Sequence, residues 1–145
     1  MITGSYKKTQ SLGEEFVKRS HLVQGATLTA KVVALHGDLG GGKTTFTQGI
    51  AKGLGIKRRI ISPTFVVVRT YKIKFKKFYH IDLYRIQSLK DIEGLGIEEI
   101  LENPENIVVI EWAERLGDLL PKKRTDVYFE YLDKNKRRIT YDFKY

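Results

Sequence analysis

The sequence predicts a three-layer α/β domain built on a mixed sheet and closed by a C-terminal β-hairpin, and three observations predict it. Gly37-Asp38-Leu39-Gly40-Gly41-Gly42-Lys43-Thr44 lies between a short β-branched apolar run, Lys31 to His36, and a segment with Phe46, Ile50 and Leu54 at helical spacing. Ile107-Val108-Val109-Ile110 is apolar throughout, as a strand covered on both faces must be. Asp126 to Leu132 and Ile139 to Tyr145 alternate around Asp133-Lys134-Asn135-Lys136, the pattern of a hairpin. The 145 residues are expected to form one domain, 1–145, large enough to bury a core.

The glycine segment fits G-x-x-x-x-G-K-[ST] in its strand–loop–helix context, so the expected architecture is P-loop NTPase-like. At ordinary residue frequencies the bare pattern arises in roughly one chain of this length in two hundred, and the flanking strand and helix lower that further. Glycines let backbone N–H groups turn inward around a pyrophosphate, and the helix N-terminus adds its positive dipole end. Lys43 would reach the β/γ-phosphates and the Thr44 hydroxyl would hold Mg²⁺. The motif implies a nucleoside di- or triphosphate as ligand.

The remaining elements follow in order. Thr9 to Ser20 reads as an amphipathic helix burying Leu12, Phe16 and Val17. The helix after the loop runs to Leu54, with Gly55 as its stop. Ser62-Pro63-Thr64 is a rigid turn feeding a strand over Phe65 to Tyr71. Lys72 to Lys77 reads as a charged hairpin tip, and Phe78 to Tyr84 as the returning strand. Ser88 to Asn103 reads as helix interrupted near Gly94-Leu95-Gly96, ahead of the apolar strand at 107–110. Repeats, low-complexity tracts and linkers are absent from the sequence.

Composition narrows the class. A hydrophobic fraction of 41% with eight Tyr and seven Phe indicates a folded globule. Zero Cys excludes disulfides and thiolate metal sites, and together with nucleotide use it fits a cytoplasmic chain. Met1 to Gln10 carries no apolar stretch that reads as a secretory signal, and no run reaches membrane-spanning length, so no membrane is expected. The net charge is +9, with basic clusters at Lys57-Arg58-Arg59, Lys72 to Lys77, Lys122-Lys123-Arg124 and Lys134 to Arg138, while acids concentrate between Asp91 and Glu105. Charge alone leaves two readings open, a solvated lysine-rich surface or contact with RNA or an RNA-bound partner.

A phosphate loop needs acids opposite it to complete Mg²⁺ coordination and position an attacking water. Glu111 ends the apolar strand, at the carboxyl end where α/β folds place ligands. Alternation in His80-Ile81-Asp82-Leu83-Tyr84 puts His80, Asp82 and Tyr84 on one face. Either acid could also be a plain strand-end carboxylate, and His80 a structural histidine. Pro63 fixes a turn from which a hydroxyl of Ser62 or Thr64 could meet a γ-phosphate, although an isolated tripeptide of this kind is also a simple turn. If Glu111 faces the site, alternation points Trp112 the opposite way, into packing. Asp91-Ile92-Glu93-Gly94 matches D-x-x-G, but in an acidic helical segment, and no N-K-x-D guanine reader exists, which argues against GTP.

Taken in order, Gly37 to Thr45, Ser62-Pro63-Thr64-Phe65, His80 to Arg85 and Ile110-Glu111-Trp112 give the chain a pattern that resembles the TsaE (YjeE) family, P-loop ATPases of tRNA threonylcarbamoyladenosine biosynthesis. Leu12-Gly13 and Glu93 to Ile97 add to it, and the resemblance spans nearly the whole length. It implies ATP and Mg²⁺ as cofactors. Asp38, Leu39, Gly40, Gly41, Gly42, Lys43, Thr44 and Thr45 would hold phosphates, with Thr44 and Glu111 on the metal. Asp82 would be a second acid near metal and water, and Thr64 a switch-like residue. The adenine would lie between Tyr6 and the last hairpin near Lys136. The family usually has Ala at Gly41 and often Gly-Arg at Asn135-Lys136. The implied partners are TsaD and TsaB, with tRNA reached through that complex and hydrolysis slow without it. A small-molecule kinase and a basic RNA-binding module are the rival readings. The chain has no substrate-binding insertion or arginine-bearing lid for the first, and the second predicts salt-sensitive tRNA binding by the isolated chain.

Overall fold

Apolar runs of the central strands and two amphipathic helices organise the molecule around one sheet. A computed structural model describes residues 1–20, 22–23, 27–37, 42–60 and 67–144. Its elements are β1 (Ile2–Thr3), α1 (Tyr6–Arg19), β2 (Lys31–His36), α2 (Lys43–Gly53), β3 (Val68–Ile73), β4 (Lys76–Asp82), α3 (Ile97–Glu102), β5 (Asn106–Glu111), β6 (Arg124–Tyr131) and β7 (Arg137–Lys144). Two 3₁₀ segments, Leu89–Ile92 and Ala113–Leu119, lie beside α3 and after β5.

Among the described residues, seven strands form a single sheet in the order β1-β7-β6-β2-β5-β4-β3. The centre, β6-β2-β5-β4, is parallel, and the edge pairings β1–β7, β6–β7 and β3–β4 are antiparallel. This is the expected mixed sheet, and β6–β7 is the expected C-terminal hairpin. Every residue of β5 is buried, as its unbroken apolar run requires. Its first residue, Asn106, is tolerated there because its amide donates to the Ile100 carbonyl at 2.9 Å.

Strand alternation sorts the core into two halves. Val33, Leu35 and Val109 point to α1 and α2, packing on Leu12, Phe16, Phe46 and Ile50. Val32, Ala34, Val108 and Ile110 point the other way, onto Ile97, Ile100 and Leu101 of α3 and onto Ala113 and Leu116. Helix, sheet and helix make the three layers. The first two helices approach until backbones touch: a Cβ at Gly13 would lie 2.3 Å from the Phe46 carbonyl oxygen, and one at Gly49 would lie 1.9 Å from that of Gln10. Helix α2 ends as the sequence indicates. The Gly55 and Ile56 N–H groups return to the Lys52 and Ala51 carbonyls, and Gly55 takes φ 85°.

Four boundaries differ from expectation. Helix α1 begins at Tyr6 rather than Thr9, because the Ser5 hydroxyl caps it by accepting the Lys8 N–H at 3.2 Å. The segment 88–103 breaks at the expected glycines, Gly94 and Gly96 at positive φ, but its first part is a 3₁₀ turn and only the six-residue α3 is α-helical. The hairpin tip is shorter than Lys72 to Lys77: pairing continues to Ile73↔Lys76, so only Lys74 and Phe75 turn. The strand expected to reach Tyr84 stops at Asp82, where the Leu83 N–H crosses to the Glu111 carbonyl. Phe65 and Val66, expected in the preceding strand, lie outside the described residues.

Candidate functional site

Strands β2, β4 and β5 are parallel and in register, so their C-terminal ends coincide: Leu35 pairs with Glu111, and Asp82 with Glu111. Helix α2 starts directly above that edge. Two predicted residues, Lys43 and Thr44, are its first two, and a third, Gly42, caps it at φ 96°. The Thr44 hydroxyl lies 3.2 and 3.3 Å from the two Glu111 carboxylate oxygens, across 67 residues of sequence. Glu111 is 3% exposed. Its other neighbour is fully buried His80, whose Nε2 is 2.5 Å from Oε2. A nitrogen that close to a carboxylate carries a proton and donates it, while the opposite Nδ1 meets no partner among the described residues. Glu111 therefore accepts from two elements at once.

Asp82 is half-buried at the end of β4. Burial, and then the nearby Glu111 charge, push its carboxyl above the usual range, against the bond it accepts from the Tyr84 N–H at 3.0 Å. Lys43 is buried, donates to the Gly37 carbonyl, and holds its ammonium 4.5 Å from the Trp112 ring centroid. This corrects the expectation that Trp112 points away from the site. The strand ends at Glu111 and Trp112 takes a left-handed backbone, φ 58°, so alternation no longer applies. The Arg115 guanidinium lies over the same ring at 4.9 Å and gathers the carbonyls of Leu83, Tyr84 and Ile86, fixing the turn after Asp82.

Other predicted residues fall around this centre. Thr45 is in the first turn of α2. Tyr6, the first residue of α1, donates its hydroxyl to the Gln48 amide oxygen of α2 at 3.0 Å. Lys136 is exposed at the β6–β7 turn, which β1 brings next to the N-terminal segment through Thr3↔Arg137. Among the described residues the side chains nearest Gly42 are Thr9, Arg137 and Phe129, which the sequence did not single out as site residues. Asp38, Leu39, Gly40, Gly41 and Thr64 lie outside the described residues. One further cluster was also missed. His36, immediately before Gly37, hydrogen-bonds buried Asp126 at 2.7 Å and approaches Glu114 at 3.4 Å, with its ring stacked on Tyr128. A histidine closing an apolar strand at the loop was the available signal; its partner, 90 residues on, was not.

A parallel sheet whose strand ends meet the start of a Lys-Thr helix, with a glutamate beneath the threonine, defines an α/β protein of P-loop NTPase-like architecture. The chain belongs to the TsaE family: the sequence model described as "Threonylcarbamoyl adenosine biosynthesis protein TsaE" matches residues 3–139. Relatives named tRNA threonylcarbamoyladenosine biosynthesis protein TsaE include one from Bacillus subtilis (strain 168), 38% identical over 76% of this chain and 68% of its own length. Another, from Rickettsia bellii (strain RML369-C), is 43% identical over 86% of each chain. The crystal structure of Bacillus subtilis YdiB superposes with a TM-score of 0.76 at 26% identity, covering all of this chain and 84% of that one. Among the described residues no helix is long and apolar enough to cross a membrane.

Proposed function

We propose that this chain is the ATP-hydrolysing subunit of the machinery that forms threonylcarbamoyladenosine beside the tRNA anticodon, acting with TsaD and TsaB in the cytoplasm. The observation that carries this reading is the convergence of the Thr44 hydroxyl on both oxygens of Glu111, with Lys43 on the same helix turn. These hard oxygen donors suit Mg²⁺, which keeps several waters and takes phosphate oxygens besides one or two protein ligands. Among the described residues no cluster of three or more His, Asp or Glu could form an all-protein metal cage, in keeping with a metal shared with the nucleotide. Held by Thr44 and Glu111, Mg²⁺ would supply neutralisation of phosphate charge.

The protein's own residues take the remaining roles. Lys43 exchanges the Gly37 carbonyl for the phosphates and stabilises charge there. His80 holds the Glu111 carboxylate toward Thr44. Asp82 orients the attacking water, and its raised pKa brings proton acceptance closer to working pH. Asp38, Leu39, Gly40, Gly41, Gly42 and Thr45 cradle phosphate, Thr64 follows the γ-phosphate, and Tyr6 and Lys136 flank the adenine together with Thr9 and Arg137. Family membership supports the tRNA-modification role.

The test is a product assay. With ATP and Mg²⁺ the protein should release ADP and free phosphate slowly, and faster once TsaD and TsaB are added. Lys43→Ala, judged folded by circular dichroism, should lose roughly a hundredfold in rate, or about 2–4 kcal/mol of transition-state stabilisation. Transfer of phosphate to a small-molecule hydroxyl, or wild-type rates in the variant, would overturn the reading.

A further inference from the structure

The hairpin joining β3 to β4 carries a feature that the nucleotide site does not use. Its sequence is Lys72-Ile73-Lys74-Phe75-Lys76-Lys77, four lysines and no acid. The register sets Lys72 directly opposite Lys77, and like charges in that position repel. Among the described residues none of the four lysines has an ion pair. The two-residue turn is made by Lys74 and Phe75, with Lys74 at φ 46°. Glycine, asparagine or aspartate ordinarily occupies such turns, because a longer side chain at positive φ is strained. Phe75 then stands 95% exposed. Each choice costs the free protein something, and no local packing returns it.

A ligand with phosphates and flat faces relieves two of these costs, the opposed lysines and the bare ring. Phosphates between Lys72, Lys74 and Lys77 replace repulsion with attraction, and an unpaired base covers the Phe75 ring. Alternate residues on a strand stand roughly 6.6 Å apart, a spacing that lets successive lysines follow a nucleic-acid backbone. A lipid surface fits less well, since stable membrane attachment needs more apolar area than one ring supplies. The tip also lies well away from Lys43: β4 runs from Lys76 at the turn to Asp82 at the site, roughly 20 Å at strand rise. Both ends of the sheet can therefore be occupied together.

We propose that the Lys72–Lys77 hairpin is an RNA-contacting tip, in which Phe75 stacks on an unpaired base while Lys72, Lys74 and Lys77 neutralise the adjoining phosphates. The proposal does not depend on the ATPase reading, and its test uses no nucleotide hydrolysis. Binding of the full chain to a fluorescein-labelled, unstructured 12-nucleotide RNA, and to a tRNA transcript, is followed by anisotropy at 50 and 200 mM salt. Phe75→Ala should weaken binding by roughly fivefold to a hundredfold with an unchanged salt slope. Replacing Lys72, Lys74 and Lys77 with Ala should weaken it further and lower the slope by about 2. Replacing three other exposed lysines, Lys90, Lys122 and Lys123, should change affinity less than twofold. All three variants alter exposed side chains, and unchanged thermal midpoints check the fold. Absence of RNA binding by the wild type, wild-type affinity of Phe75→Ala, equal losses from the two lysine triples, or preferential binding to anionic phosphatidylglycerol vesicles would each overturn the proposal.

Discussion

Glu111 accepts from Thr44 and from His80 while almost wholly buried, so its charge is spoken for before any ligand arrives. Asp82, its neighbour across the register, bears the cost of that arrangement: burial and Glu111 both disfavour its ionised form. An acid whose folded pKa is raised favours the fold at low pH and disfavours it as pH rises through the folded value. Asp82→Asn should therefore stabilise the protein at neutral pH by up to about 1 kcal/mol, raising Tm by roughly 3 °C, while lowering the maximal hydrolysis rate. The Asn oxygen can still accept the Tyr84 N–H, so the turn is kept. Glu111→Gln should instead raise the Mg²⁺ concentration needed for half-maximal rate. Calorimetry at pH 7 with a Mg²⁺ titration of the rate separates the two. A less stable Asp82→Asn, or an unaltered Mg²⁺ profile for Glu111→Gln, would contradict these roles. At this scale the sequence located Glu111 at a strand end and singled out Asp82 within its strand, but it misdirected Trp112, because alternation was extended one residue past the strand.

Elements α1 and α2 were both legible from apolar spacing, since periodicity belongs to each helix alone. Their contact was not. Gly13 and Gly49 look like weak points inside helices until the helices are placed side by side, where each proves to be the spot at which a neighbour's carbonyl touches. Gly49→Ala would gain about 1 kcal/mol in helix propensity, yet must displace a backbone oxygen now 1.9 Å from the new Cβ. Because that oxygen belongs to a rigid helix, the net effect should be a loss of at least about 2 kcal/mol. It should also weaken nucleotide binding, because the same helix carries Lys43 and Thr44. Urea midpoints and nucleotide titration measure both. A stabilised variant would show that the helices part without cost.

Across the whole molecule, Asp126 ties three strands together. Burial alone would raise its pKa, but the Lys144 ion pair and the hydrogen bonds from His36 and Arg124 outweigh it and hold the carboxyl at about 2. A depressed folded pKa contributes stability above the unfolded value near 4 and loses it as pH falls toward the folded one. The contribution should be about 2 kcal/mol, present at pH 5 and largely gone by pH 2. Asp126→Asn should be less stable than wild type at pH 7 and lose less on acidification. Urea unfolding at pH 7, 4 and 3 checks this, and parallel pH curves for the two proteins would refute it.

Chain-local geometry was legible in the residues alone: the strand, glycine loop and Lys-Thr helix start, the doubly buried strand of β5, the last hairpin and the placing of Glu111 at a strand end. Those follow from side-chain period and loop chemistry, which need no knowledge of neighbours. That β5 lies beside β2, so that Thr44 meets Glu111, came from the assembled sheet. So did the contact of His80 with the carboxylate, the meeting of His36 with Asp126, and the turn of Trp112 under Lys43. Strand order and register set those meetings, and they arise from how whole elements bury their faces against one another rather than from any pattern within one element.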